Sequence, residues 1–160
     1  DREPPASGRV TSHMGISASM PITGAKMLLP IVHVSAVALV DTDGRVLLAQ
    51  RPEEKPMAGL WEFPGGKIES GETPEQALIR ELQEELSIDT AESCLAPLSF
   101  ASQRYDKFHL VMLLFVCRKW RGVPRAVEGG TLKWVRSKKL RNYPMPAADL
   151  PLIPVLQELL

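Results

Sequence analysis

The sequence is poor in cysteine and in aromatic side chains, which make up only 6% of it. Its two cysteines, Cys94 and Cys117, are far apart and form no CxxC pair, and no histidine lies at zinc-finger spacing from them. These features exclude a disulfide framework and a zinc finger. Two reduced thiols are typical of a cytoplasmic protein, and we expect that location.

The sequence also has no excess of charge of either sign and no long apolar run. The 19 basic residues equal the 19 acidic ones, whereas a protein that coats nucleic acid carries a basic excess. The apolar runs are far too short to span a bilayer, and the N-terminus lacks a signal-peptide pattern. We therefore expect neither a nucleic-acid polymer nor a membrane as partner.

The first 28 residues differ in composition from the rest of the chain. They are rich in proline, glycine and serine, and they have too few apolar side chains to offset the entropy of ordering. We expect a disordered or tag-like tail over residues 1–28. Apolar residues make up 44% of the whole chain, and residues 29–160 are expected to form one domain with its own core.

Apolar, β-branched runs and turn signals indicate several strands. Residues 31–40 and 45–50 predict two strands separated by an Asp-Thr-Asp-Gly turn, so a hairpin is expected. Further strands are predicted over residues 108–118 and 131–135, and a short final helix over 152–160. Together with one strong helix, these elements indicate an α/β or α+β layered domain with a mixed sheet.

The strong helix is predicted over residues 74–86. Thr73 suits the N-cap, Pro74 suits the first helical position, and Gln76 completes a capping box. Its apolar side chains share one face. The opposite face carries three acids: Glu81, Glu84 and Glu85.

Three carboxylates at this spacing point to either of two environments. Each like-charged pair destabilises an isolated helix by about 0.2–0.5 kcal/mol, so the acids require solvent or a compensating cation. Mg²⁺ and Mn²⁺ prefer oxygen ligands and can polarise a phosphate and activate a water. The residues alone therefore indicate either a solvated acidic surface or a divalent-metal site.

A longer pattern runs into this helix. Gly66, five residues, Glu72, seven residues and then Arg-Glu-Leu-x-Glu-Glu over residues 80–85 resembles the Nudix box, GX5EX7REUXEEXGU, where U is apolar. One fixed position departs from the box, because Ser87 replaces its glycine, whose place at a helix end suits a left-handed residue. Residues 51–66, 128–134 and 146–149 are also similar to MutT-type members of the family, so the resemblance covers roughly residues 30–158.

The resemblance implies the Nudix fold, an α/β/α sandwich with a mixed sheet. It also implies hydrolysis of a nucleoside triphosphate to the monophosphate and pyrophosphate with Mg²⁺, for which Mn²⁺ is a substitute. Sanitation of 8-oxo-dGTP in the nucleotide pool is the leading expectation. The alternatives are CTP, dCTP or a modified pyrimidine nucleotide, and a non-catalytic nucleotide-sensing module, which the intact box acids disfavour. A monomer or homodimer is expected.

The resemblance also implies roles for individual residues. The implied metal ligands are Gly66 through its carbonyl, Glu81, Glu84, Glu85 and Glu128, the last of which is alternatively the general base. Arg80 joins the catalytic group by holding a neighbouring acid in an ion pair, and Glu72 supports the joint between loop and helix. Arg51 and Lys67 are expected to contact phosphate.

Three residues are candidates for recognition of the base. Tyr105 could stack on a base, and Glu62 could accept a hydrogen bond from a base edge. Asp149 replaces the asparagine that reads the base in MutT-type enzymes. A carboxyl group donates a hydrogen bond only when it is protonated, which requires burial to raise its pKa.

Overall fold

The structure, a computed structural model, describes residues 28–160, so the expected N-terminal tail lies outside the described residues apart from Leu28. Seven strands and two α-helices follow one another along the described part of the chain. They are β1 (Ile31–Leu39), β2 (Arg45–Gln50), β3 (Trp61–Glu62), β4 (Gly65–Lys67), α1 (Pro74–Leu86), β5 (Leu95–Arg104), β6 (His109–Cys117), β7 (Thr131–Arg136) and α2 (Leu152–Leu159). Two short 3₁₀ helices, Glu92–Cys94 and Ser137–Asn142, precede β5 and follow β7.

The strands form two sheets. The larger sheet has the order β4-β1-β6-β5 and is mixed, because β1 and β6 run parallel while its other neighbours are antiparallel. The smaller sheet has the order β3-β2-β7 and is antiparallel throughout. The mixed sheet expected from the sequence is confirmed.

The hairpin expected from β1 and β2 is wrong. The two strands belong to different sheets, and only an isolated bridge between Val40 and Val46 joins them. Strand β6 pairs along the whole of β1 on one edge and β4 pairs with Val34–Ala36 on the other, so the chain meets β2 only beyond the C-terminal end of β1. Strand β2 pairs instead with β3 and β7.

The two helices cover opposite faces of the strands. Because side chains alternate along a strand, β1 sends Val37 and Leu39 towards α1, and Ala36 and Ala38 towards α2. The leucines of α1 pack with Val37 and Leu39 in one apolar core. On the other face, α2 buries Leu152, Ile153 and Leu156 in a second core. The result is the expected α/β/α sandwich.

Strand β5 was not predicted. It runs antiparallel to β6 at the edge of the larger sheet, with a bulge between Pro97 and Ser99. Proline is tolerated at a sheet edge, where its missing N–H removes no ladder bond. The proline and the serines of this strand interrupt the apolar alternation that marks a strand in a sequence.

Both helices lie where the sequence places them. Helix α1 matches the predicted bounds, and α2 begins at Leu152 with Pro154 in its first turn, where a proline is compatible with a helix. No helix within residues 28–160 has the length and apolar character needed to cross a membrane.

Candidate active site

Helix α1 is fixed at both ends. Thr73 Oγ1 accepts from the backbone N–H of Gln76 at 3.1 Å, and Gln76 Oε1 accepts from that of Thr73 at 3.0 Å, which completes the predicted capping box. The buried Ser35 of β1 donates through Oγ to the carbonyl of Pro74 at 2.8 Å. Ser87 ends the helix with a left-handed φ of 59°. These contacts fix the position of the acidic face relative to the sheet.

Arg80 forms hydrogen-bonded ion pairs with an acid of the loop before α1 and with an acid on the helix. Its Nε and Nη2 donate to the two carboxylate oxygens of Glu72 at 2.6 and 3.0 Å, a bidentate pair. Its Nη1 donates to Glu81 at 3.1 Å, and its Nη2 also reaches the carbonyl of Lys67 at 3.0 Å. The guanidinium holds the pKa of Glu72 below its usual range. Arg80 thereby ties the loop before the helix to the helix itself.

Gly66 lies against the carboxylate of Glu81. A Cβ built at this glycine would meet Cδ and Oε2 of Glu81 at 2.3 Å. Gly66 also pairs with Ser35 on the central strand, so its backbone has little room to retreat. The missing side chain is therefore what allows Glu81 to approach the backbone of β4.

Glu85 is the buried acid of the site. Its Oε1 accepts from the backbone N–H of Gly65 at 3.2 Å. Burial raises its pKa to about 8, and the charges of Glu62, Glu81 and Glu128 add to the effect. Burial also raises the pKa of Glu81, although its ion pair with an arginine opposes the shift. Within residues 28–160 no lysine or arginine pairs with Glu85.

The loop before β7 brings Glu128 to this cluster. The backbone N–H groups of Arg125 and Val127 donate to the carbonyls of Leu86 and Glu85 at 3.0 and 3.1 Å. These bonds hold the loop against the last turn of α1. The charge of Glu128 consequently acts on both Glu81 and Glu85.

The acids suit a hard divalent cation. Across residues 28–160, no three acid, histidine or cysteine side chains already converge as a metal site, since Arg80 holds Glu81 and the Glu84 side chain is 56% exposed. A buried carboxylate without a cationic partner beside further carboxylates is nevertheless the ligand type that Mg²⁺ prefers. The residues therefore fit a metal held by Glu84 and Glu85 and their acidic neighbours.

A cavity of about 560 Å³ opens beside the acids. Its lining includes Gly66, Lys67 and Glu85, together with Glu62 and Asp149. Apolar side chains from β1 and β6 also line it: Val32, Val34, Leu110 and Met112. Sequence reasoning did not single out these four, because a pocket wall and a core have the same apolar pattern along a strand.

Asp149 is buried in the cavity wall, with 4% of its surface exposed. Its Oδ2 accepts from the backbone N–H of Phe63 at 3.2 Å. Burial raises the pKa of this carboxyl to about 7, and the nearby charge of Glu62 adds to the effect. Protonation near neutral pH therefore adds a hydrogen-bond donor to this carboxyl group, which accepts in both states.

Arg51 lies in the cavity wall and pairs with an acid. Its Nε is 3.2 Å from Oε2 of Glu62, and its Nη1 donates to the carbonyl of Pro56 at 3.4 Å. Burial raises the pKa of Glu62, although the charge of Arg51 opposes the shift. The expected contact between Arg51 and phosphate stays a prediction, since the guanidinium here is directed at Glu62.

Two aromatic rings lie at one side of the cavity. Tyr105 and Phe108 are stacked with their centroids 4.9 Å apart, and both line the cavity. Seven of the predicted site residues line this one space: Arg51, Glu62, Gly66, Lys67, Glu85, Tyr105 and Asp149. The remaining four lie on the adjoining helix face and loop: Arg80, Glu81, Glu84 and Glu128.

The comparison with protein families agrees with this geometry. The NUDIX domain matches residues 35–154, which include the whole of α1 and every predicted site residue. The chain belongs to the Nudix family. It is a Nudix hydrolase.

Curated relatives of this Nudix hydrolase carry two different substrate names. The 8-oxo-dGTP diphosphatase of Escherichia coli is 35% identical over 78% of this chain and 95% of its own length. The CTP pyrophosphohydrolase of the same organism is 38% identical over 72% of this chain and 84% of its own. The MutT NUDIX hydrolase of Burkholderia pseudomallei superposes with a TM-score of 0.68 at 29% identity, over 81% of this chain and 98% of that one.

We predict that Gly66→Ala inactivates this Nudix hydrolase without unfolding it. The new Cβ would displace the flexible carboxylate of Glu81 rather than the backbone. Displacement of a site residue by about 1 Å can lower activity by about 10²-fold. Activity assays and thermal melts check this prediction. Gly44→Ala is the control for activity, because a Cβ there meets nothing within 4 Å, although its φ of 79° strains any side chain and should lower the melting temperature. Full activity of Gly66→Ala would contradict it.

Proposed function

We propose that this Nudix hydrolase cleaves a (deoxy)nucleoside triphosphate to the monophosphate and pyrophosphate with Mg²⁺, and that 8-oxo-dGTP is its leading substrate. One observation carries the proposal. A single cavity is lined both by the buried Asp149 and by Glu85, from the acidic face of α1. This combination suits a ligand that carries both a base and phosphates.

The acids supply the hydrolysis. In this proposal Glu84 and Glu85 hold the metal, together with Glu81, Glu128 and the carbonyl of Gly66. The metal, when bound, neutralises phosphate charge and activates a water. Arg80 keeps Glu81 in place through the pair described above, and Lys67 at the cavity edge contacts phosphate.

Asp149 and Tyr105 supply recognition of the base. A neutral Asp149 donates from its O–H and accepts at its other oxygen. The edge of 8-oxoguanine that carries O6 and N7–H presents an acceptor beside a donor, which this carboxyl group complements. Tyr105 offers a ring on which the base stacks.

CTP or dCTP is the second candidate substrate, and the CTP pyrophosphohydrolase relative favours it. Cytosine presents its N4 amino donor beside the N3 acceptor, so a neutral Asp149 complements that edge as well. The two candidates share the hydrolytic acids and differ only in the base. A purine and a pyrimidine differ in size, so turnover decides between them.

Hydrolysis of a panel of nucleotides, followed by chromatography of the nucleoside monophosphates formed, tests the proposal. We expect hydrolysis in Mg²⁺ with the highest kcat/KM for 8-oxo-dGTP among 8-oxo-dGTP, dGTP, CTP, dCTP and ADP-ribose. Glu84→Gln should abolish it, whereas Glu75→Gln, in the first turn of the same helix, should not. A preference for CTP or dCTP would show that the substrate base is cytosine and not 8-oxoguanine. No turnover of any of them by the parent protein would overturn the proposal.

A further inference from the structure

One methionine lies at the edge of the cavity. Met57, in the loop between β2 and β3, lines the cavity beside Lys55, and 47% of its surface is exposed. The other methionines within residues 28–160, Met112 and Met145, are 5% and 7% exposed. Among the described methionines, Met57 is therefore the one that a dissolved oxidant reaches most readily.

The backbone of Met57 is unusual. Its φ of 61° is left-handed, a conformation that costs free energy for any residue with a side chain and that glycine adopts readily. Non-glycine residues in this conformation cluster at ligand clamps and active sites. Among the hydrogen bonds that hold the loop are Leu60 N to Met57 O at 3.2 Å, Gln50 Nε2 to Gly59 O at 3.0 Å and Arg51 Nη1 to Pro56 O at 3.4 Å.

The loop is thus attached to the cavity wall. Gln50 and Arg51, which hold it, line the same cavity as Met57. A thioether in this position is apolar, polarizable and able to adapt to the edge of a planar ring. Oxidation to the sulfoxide makes the same side chain polar and chiral, which disrupts apolar packing.

We propose that Met57 is a substrate-contacting residue whose thioether packs on the bound base, and that its oxidation by a peroxide weakens nucleotide binding. In the oxidation, hydrogen peroxide transfers one oxygen atom to Sδ of Met57. The sulfur loses two electrons and becomes a sulfoxide, the O–O bond breaks, and water leaves. The inference rests on the proposed function, because it assumes that the base occupies this cavity.

The test is peroxide treatment of the full chain followed by kinetics. We expect KM for 8-oxo-dGTP to rise about 3- to 10-fold, the loss expected for one contact between sulfur and an aromatic ring. The value of kcat should change less than about twofold, because the acids that carry the hydrolysis are untouched. Methionine sulfoxide reductases should restore KM, whereas dithiothreitol, which reverses thiol oxidation, should not. Peptide mass mapping locates the added oxygen.

Met57→Leu is the matched variant, because it conserves volume but cannot form a sulfoxide. It is compared with its own untreated state, and we expect the ratio of KM after peroxide to KM before it to stay near 1. Met57→Gln, which places a polar group there without oxidation, should raise KM. The difference between these variants separates a binding contact from general oxidative damage.

Several results would overturn the inference. These are an equal rise of KM in peroxide-treated Met57→Leu, recovery of the parent protein by dithiothreitol, and an unchanged KM when mapping shows Met57 oxidised. If the untreated protein hydrolyses no nucleotide, the proposed function fails instead. Equilibrium binding of 8-oxo-dGTP to oxidised and reduced protein then decides the role of Met57, and equal affinities would reject it.

Discussion

Glu85→Gln is expected to remove nearly all activity and, in the metal-free protein, to raise stability. If Glu85 binds the metal as proposed, the loss of its carboxylate should lower kcat/KM by about 10²–10³-fold. The stability gain arises because burial raises the pKa of Glu85 to about 8 in the folded protein, against 4.5 for an unperturbed glutamate. Glutamine still accepts the hydrogen bond from Gly65 and carries no charge to bury.

The pH dependence of this gain has a definite sign. The unfolded chain releases the proton above pH 4.5 while the folded protein retains it to about pH 8, so the parent loses stability as the pH rises between these values. At pH 7 the penalty reaches about 3 kcal/mol, which Glu85→Gln removes. Thermal melts in EDTA should therefore show the variant more stable at pH 8, with the difference closing towards pH 4.5.

Two controls make this result specific. Glu84→Gln changes an exposed carboxylate, so it should lose activity without a gain in stability. Mg²⁺ should raise the melting temperature of the parent more than that of Glu85→Gln, because ligands stabilise only the state that binds them. A Glu85→Gln protein that retains activity, or that melts lower than the parent in EDTA at pH 8, would contradict the assignment of Glu85.

Asp149→Asn is expected to remove the pH dependence of base binding. With a pKa of about 7, Asp149 is mostly protonated at pH 6 and about 1% protonated at pH 9. If the base requires the donor, the Kd of the parent rises up to about 100-fold over this range. An asparagine donates at every pH, and its carbonyl can keep the bond from Phe63.

Equilibrium binding of the nucleoside monophosphate product measures this effect without the hydrolytic step. Asp43→Asn makes the same chemical change in the exposed turn between β1 and β2, and its profile should follow that of the parent. Equal pH profiles for Asp149→Asn and the parent would show that Asp149 does not read the base.

The helix and its acids could be predicted because their signals are local. Thr73, Pro74 and Gln76 mark the start of α1 within four consecutive positions, and the structure begins the helix at Pro74. The spacing of Glu81, Glu84 and Glu85 then assigns the acids to one side of that helix. Each of these predictions depends only on residues that lie within about one helical turn of each other.

The pairing of distant segments could not be predicted in this way. The hairpin was wrong because β1 pairs with β4 and β6 and the chain meets β2 only beyond the end of β1, and β6 begins far along the chain. The contact between Asp149 and Phe63 joins residues 86 positions apart. The partnership of Arg51 with Glu62 likewise depends on the pairing of β2 with β3, which no local pattern in either strand specifies.

The cavity wall is assembled from separate stretches of chain, and this has an evolutionary consequence. Glu81, Glu84 and Glu85 belong to one continuous helix, whereas Asp149 and Tyr105 come from other segments. If these residues act as proposed, a substitution at position 149 or 105 alters the accepted base while the acids of the helix stay intact. Copies of the gene can then diverge in substrate through a few substitutions, each of which leaves a working phosphohydrolase.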